Sequence, residues 1–165
     1  MSDTHGWLDP QLAEWFRGVD LIVHAGDVGR EEVLAGLRAV APLLAVRGNI
    51  DGGPLADLPL EAVVDVAGVR IAALHIGGPP ARPNRAAAAL LAAVRPDVLV
   101  VGHSHIPLAG RVGEVLWVNP GAAGHEGFHT ERTAALLELP AQGEPRLLRV
   151  HLGPRGRRRP EPCPP

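Results

Sequence analysis

No lysine and no tyrosine occur among the 165 residues, and there is a single cysteine, Cys163. The first two absences accompany an abundance of arginine and alanine, as in a GC-biased coding sequence, and exclude no chemistry. The third excludes an internal disulfide and argues against a catalytic thiol, because Cys163 stands in a proline-rich stretch at the C-terminal end. Such a chain fits a reducing cytoplasm. Long hydrophobic runs are lacking too: nothing approaches the roughly 18 apolar residues of a membrane span, and the first residues have neither the basic nor the apolar region of a secretory signal. A formal net charge of −2 lacks the basic surplus of nucleic-acid binders and of proteins that dock on anionic membranes. With only two phenylalanines and three tryptophans, no base-stacking platform or basic groove is apparent.

What is present suits one globular domain. Hydrophobic residues make up 46% of the chain, enough for a core spanning residues 1–153. The remainder, residues 154–165, is rich in proline and arginine and is expected to be a disordered tail. Its Arg157-Arg158-Arg159 run reads as solvated. Short β-rich runs alternate with helical patterns. Asp20 to Val23 leads into His24-Ala25-Gly26-Asp27, Glu31 to Val40 is helical, and Leu43 to Val46 leads into Arg47-Gly48-Asn49. Glu61 to Val66 and Val69 to Leu74 flank Ala67-Gly68 as a tight hairpin that ends at His75. Arg85 to Val94 is an alanine-rich helix, and Asp97 to Val101 is an apolar strand. Val115 to Val118, Thr133 to Leu139 and Arg146 to Leu152 read as strands of a second sheet. The fold class is therefore α/β, with two sheets and outer helices.

Five short blocks carry the chemistry: Ser2-Asp3-Thr4-His5-Gly6, Gly26-Asp27, Gly48-Asn49, Leu74-His75 and Gly102-His103-Ser104-His105. Each ends an apolar run or stands beside a glycine. In open α/β sheets the carboxyl ends of the strands collect such loops around one crevice. In extended backbone, residues i and i+2 point the same way, so Asp3 with His5, and His103 with His105, are expected to face one cluster. One such residue alone is explained by turn capping, but seven together read as a metal-ligand set. Carboxylate, amide oxygen and imidazole suit Mn²⁺, Fe²⁺, Ni²⁺ or Zn²⁺ better than Ca²⁺, which prefers oxygen throughout.

This ordered series resembles the calcineurin-like metallophosphoesterase superfamily, and in length its small bacterial and archaeal phosphodiesterase branch. The match runs from residue 2 to about residue 124 and includes Val118-Asn119-Pro120-Gly121. The resemblance implies a four-layer α/β/β/α sandwich of two mixed β-sheets flanked by helices. It implies a first metal held by Asp3, His5 and His105, a second by Asn49, His75 and His103, and Asp27 bridging both. Two divalent ions, Mn²⁺ first among the candidates, would share a hydroxide that attacks phosphorus in line. Catalysis would then run through Asp27, Asn49 and His75 by way of the ions. The implied partner is a small phosphodiester, and pairing into a homodimer is a further expectation.

Two departures qualify the resemblance. Many larger members follow Gly-Asn with a histidine that protonates the leaving group, but this chain reads Gly48-Asn49-Ile50-Asp51. Isoleucine donates no proton, so poor leaving groups are disfavoured. Asp51 is either an acceptor behind a ligating histidine or a solvated turn residue. Members also place an apolar strand ahead of Ser-Asp-x-His, whereas this sequence opens at Met1. The first strand is thus expected to be truncated, with Asp3 near a frayed terminus, metal weakly held and the true start upstream.

The other polar residues have narrower roles. His24 reads as a core histidine or one behind the ligands, and His125 and His129 as residues of the cleft mouth or a solvated loop. Asn119 is implied to support the histidine loop. Arg82 and Asn84 are candidate substrate-side donors. Trp15 and Phe16 on the first helix read as core, or as a self-association patch if exposed. The competing functions are a non-catalytic scaffold of the same fold and a phosphomonoesterase acting on nucleotides or phosphoproteins.

Overall fold

The computed structural model describes residues 1–141 and 143–156. Residues 157–165, with the triple-arginine run, Cys163 and most of the expected tail, lie outside the described residues. In chain order the elements are α1 (Leu12–Trp15), β1 (Ile22–His24), α2 (Glu31–Arg38), β2 (Leu43–Ala45), a 3₁₀ turn (Gly53–Asp57), β3 (Glu61–Val66), β4 (Val69–Leu74), α3 (Arg85–Val94), β5 (Val98–Val100), β6 (Leu108–Val112), β7 (Val115–Asn119), β8 (Glu131–Glu138) and β9 (Arg146–Pro154).

Local chemistry accounts for the sharpest boundaries. Ala67 and Gly68 both take positive φ, 51° and 80°, as a two-residue hairpin turn that follows the strand twist requires. α3 opens where the Asn84 side chain accepts from the Ala87 N–H and closes where Arg95 turns left-handed. α2 buries Val33, Leu34 and Leu37 on one face, with Glu31 and Glu32 in its first turn and Arg38 in its last, matching the helix dipole.

Alternation along the strands builds the layers. Ile71 and Ala73 of β4 point into a core shared with Ala25, Val46, Val98, Val100 and Val118. Ala72 and Leu74, on the opposite face, pack with Leu99 and Trp117 against Ala87 and Leu90 of α3. A third core joins Leu12 and Phe16 beside α1, and Val33 and Leu37 of α2, to Ala134, Val150 and Leu152 of β8 and β9. The order is therefore helices, sheet, sheet, helix: the four-layer sandwich. One sheet has the order β3-β4-β5-β7-β6, with β4, β5 and β7 parallel. β7 thus sits beside β5, not with β8 and β9 as the sequence suggested. β6 went unread because its five residues are all exposed and carry no apolar alternation.

The other layer holds two pairs, parallel β1-β2 and antiparallel β8-β9. Residues 1–3 bridge them at one end. The Met1 amine donates to Val23 O at 2.8 Å and Met1 O accepts from Ala25 N–H at 2.9 Å, a parallel pairing beside β1. On the far side Ser2 O and Asp3 O accept from Ala123 and Gly124. Below this bridge a cavity of about 440 Å³ separates β1 from β8, with Ile71, Val100 and Val118 of the other sheet among its lining. The expectation of a frayed Asp3 is overturned: Ser2, Asp3 and Thr4 are all fully buried. Trp15 also departs from expectation, since it is 47% exposed while Phe16 is core. β9 runs on to Pro154, and Arg155 N–H donates to Thr130 O. No helix among the described residues is long and apolar enough to cross a membrane.

Candidate metal centre

Parallel strands deliver the polar residues to one edge of the sandwich. Asp27 follows β1, Asn49 follows β2, His75 is the residue after β4, and His103 and His105 follow β5. Asp3 and His5 reach the same edge along the bridge of residues 1–3. Two groups form, Asp3 with His5 and His105, and Asp27 with His75 and His103, the ligand atoms of each lying within 4.8 Å of one another. Extended alternation does not create these groups. Asp3, His5, Asp27, His103 and His105 all have φ between 47° and 67°, and His103 and His105 turn into different groups. Left-handed backbone at residues other than glycine costs roughly 1–3 kcal/mol each and persists only where the surroundings enforce it.

Those surroundings are visible. Asp3 accepts from the His103 N–H on both carboxylate oxygens, at 3.2 and 3.1 Å. Backbone bonds from Asp3 N to Gly26 O and from His5 N to Asp27 O tie the first residues to the Asp27 loop. A side chain at position 26 would put its Cβ 2.7 Å from His75 Nδ1, and one at position 48 would overlap Asp27. The glycines next to the candidate ligands allow this close approach.

The donor chemistry suits cations. His5 Nε2 lies 3.3 Å from His105 Nε2, and His105 Nε2 lies 3.2 Å from Asp3 Oδ1. In the second group His75 Nδ1 is 2.7 Å from the Ala25 carbonyl, which can only accept, so Nδ1 carries the proton and a neutral ring leaves Nε2 bare. That Nε2 faces Asp27 Oδ1 at 3.2 Å and Asn49 Oδ1 at 3.0 Å. Three lone-pair bearers meeting at one point need a proton or a metal ion between them. The electrostatics agree. Burial opposes a charged Asp27, but the hydrogen bond and charge of His75, helped by Ile50 N–H and His5, outweigh it and hold its pKa low. Burial likewise opposes charging His75, but Asp27 and the Ala25 carbonyl prevail and its pKa rises. Asp27 spans the groups: Oδ1 faces His75, and Oδ2 lies 3.6 Å from His5 Nε2.

The remaining candidates are placed as follows. Asn119 donates to Gly102 O at 2.8 Å and to Ser104 Oγ at 3.0 Å, bracing the loop that carries both histidines. Asp51 is neither a histidine acceptor nor solvated; it is buried and takes three backbone N–H groups, from Val28, Gly29 and Gly48. Asn84 has a local task, its Oδ1 capping α3 and its Nδ2 donating to Ile76 O. Arg82 is exposed in the loop ahead of α3. His24 is fully buried, with Nε2 3.0 Å from Thr4 Oγ1, and desolvation lowers its pKa to about 3. His125 stacks edge-on against Trp7. His129 was left open by the sequence; it packs on His105, at 3.2 Å between the two Nδ1 atoms.

The model of the calcineurin-like phosphoesterase superfamily domain matches residues 1–142. The chain belongs to that superfamily. A probable metallophosphoesterase of Methanocaldococcus jannaschii is 33% identical over 128 residues, covering 74% of this chain and 65% of the relative. The chain thus spans just under two thirds of that relative's length. An archaeal phosphodiesterase superposes with a TM-score of 0.72 at 23% identity, covering 91% of this chain and 97% of that one. A zinc complex of Vps29 from Entamoeba histolytica gives 0.69 at 22%, covering 92% and 97%. The last two likenesses speak for the fold of this superfamily member.

Proposed function

We propose that this superfamily member is a two-metal phosphodiesterase, cleaving a phosphodiester by in-line attack of water on phosphorus. The observation that carries the reading is the reach of Asp27, whose two carboxylate oxygens face different donor groups, 3.2 Å from His75 Nε2 and 3.6 Å from His5 Nε2. Asp3, His5 and His105 would hold one ion, Asn49, His75 and His103 the other, and Asp27 both. Two divalent ions held there would supply Lewis acidity, for activating a water and for neutralising charge on the phosphoryl oxygens. Mn²⁺ is the first candidate for both positions.

The chain's own part is positioning. Ala25 O holds His75 in the tautomer that presents Nε2, and Asp51 ties the Asp27 loop to the Asn49 loop. Ile50, following Asn49, is 46% exposed and has no proton to give a departing alkoxide. Substrates whose leaving group needs no protonation are therefore preferred, which favours activated diesters over alkyl monoesters.

A second reading, a binding module, is favoured by one observation: Ile76, Ile106 and Leu108, at 40%, 66% and 38% exposure, line a groove that includes His103. One experiment separates the two. Chelator-stripped protein is reconstituted separately with Mn²⁺, Ni²⁺, Zn²⁺ and Mg²⁺, metal content is counted, and hydrolysis of bis-p-nitrophenyl phosphate is compared with that of the monoester. Diester turnover returning with about two ions per chain, and lost together with both ions in Asp27→Asn, is the expected result. Two bound ions with neither ester hydrolysed would favour the binding module, and no bound ion would sink both metal positions.

A further inference from the structure

We propose that His129 is a positioning residue: it sets the ring tautomer of His105 and thereby keeps His105 Nε2 free as a ligand atom. The inference rests on reading Asp3, His5 and His105 as an ion-binding group. The chain of reasoning starts at a carbonyl. His129 Nε2 lies 3.0 Å from Gly124 O, and a carbonyl only accepts, so this nitrogen is the protonated one. A neutral His129 ring then has a bare Nδ1. That Nδ1 lies 3.2 Å from His105 Nδ1, and two lone pairs come this close only with a proton or an ion between them; His129 stands outside both candidate ligand groups, so here it is a proton. His105 therefore donates from Nδ1, which leaves its Nε2 with a lone pair. This Nε2 is the atom 3.2 Å from Asp3 Oδ1 and 3.3 Å from His5 Nε2.

The relay is anchored at both ends. Gly124 N–H donates to Asp3 O at 3.0 Å, so the residue whose carbonyl accepts from His129 is tied to the segment carrying another candidate ligand. The two rings meet edge-on, with centroids 5.1 Å apart and planes at 74°. Gly127 lies against the His105 ring at a φ of 113°, where any Cβ would overlap the imidazole. Both nitrogens of His129 are engaged, so it faces no substrate. Orienting partners of this kind typically change metal affinity by about 10- to 100-fold.

Three proteins test the proposal: the parent, His129→Phe and His129→Asn. Phenylalanine keeps a ring but neither nitrogen, whereas the asparagine oxygen can stand near the Nδ1 position and still accept. Ring ¹⁵N shifts of the metal-free parent are expected to show His105 protonated on Nδ1, and His129→Phe to show mixed tautomers. In calorimetric titrations with Mn²⁺, His129→Phe should weaken one of two sites by about 10- to 100-fold, with most of the loss recovered in His129→Asn. A bare His105 Nδ1 in the metal-free parent would overturn the proposal, whereas a second proton on Nε2, facing Asp3 where the ion would sit, would not. Unchanged tautomer and affinities in His129→Phe, or equal losses in both variants, would also overturn it. If the phenylalanine variant fails to fold, the parent's tautomer and the asparagine variant still decide. A parent that binds no Mn²⁺ would refute the metal reading alone, because the tautomer is read without metal.

Discussion

Replacing Asp51 by alanine removes one acceptor group from three backbone donors at once. Its Oδ2 accepts from Val28 N–H at 3.1 Å and Gly48 N–H at 2.8 Å, and its Oδ1 from Gly29 N–H at 2.8 Å. Asp51 is only 8% exposed, and the bonds to Val28 and Gly48 are buried, so water cannot replace them there. Each orphaned buried donor costs about 1–3 kcal/mol, and the two together about 2–6 kcal/mol. That is a large share of the roughly 5–15 kcal/mol by which a domain is folded. Asp51→Asn retains one acceptor oxygen and turns an NH₂ toward a donor, so about 1–3 kcal/mol is expected. Urea denaturation of metal-free protein measures both, since bound ligand would mask the difference. The Val28–Gly29 turn follows Asp27 and Gly48 precedes Asn49, so Mn²⁺ affinity should fall alongside stability. A loss of less than about 1 kcal/mol for Asp51→Ala would refute the reasoning, for the donors would then be finding other partners.

Two further perturbations probe neighbouring parts of the site. Gly48→Ala places a methyl group into Asp27, and Mn²⁺ titration should show both sites weakened by about tenfold or more while the fold, followed by circular dichroism, persists; undiminished affinity would contradict the close approach. His24, desolvated to a pKa of about 3, binds its proton more weakly folded than unfolded. Its contribution is therefore complete above pH 6.5 and is lost progressively down to about pH 3, at up to about 1.4 kcal/mol per pH unit. The Met1 amine, lowered to about 5 by burial, acts with the same sign at higher pH. His24→Gln should flatten the parent's stability slope between pH 6 and 4 in urea melts, and superimposable slopes would rule this out.

Much of the fold is written locally. The β3–β4 hairpin and α3 agree with the sequence reading residue for residue, because two apolar runs about an Ala67-Gly68 turn and an alanine-rich run are short-range signals; the Asn84 cap, read from sequence as a substrate-side donor, emerged only in the structure. The seven ligand candidates were legible for a related reason: their residue types stand where apolar runs stop. Long-range pairing was not legible. Whether β7 joins β5 or β8 depends on which edges meet, and residues 115–119 look alike in either sheet. Asp51, with a carboxylate that fits a solvated turn equally well, acquires its role only when Val28 and Gly29 arrive from 22–23 residues away.

By itself, then, the sequence determined the identity and order of the seven candidate ligands, the sandwich class and the absence of a proton donor after Asn49. Tertiary structure decided the rest: the left-handed backbone that sends His103 and His105 to different groups, the bridge that buries Asp3, and the contact of His129 with His105. The physical reason is range. Periodicity and capping act within a few residues, whereas a donor cluster is closed by hydrogen bonds between segments about a hundred residues apart, such as that from His103 N–H to the Asp3 carboxylate.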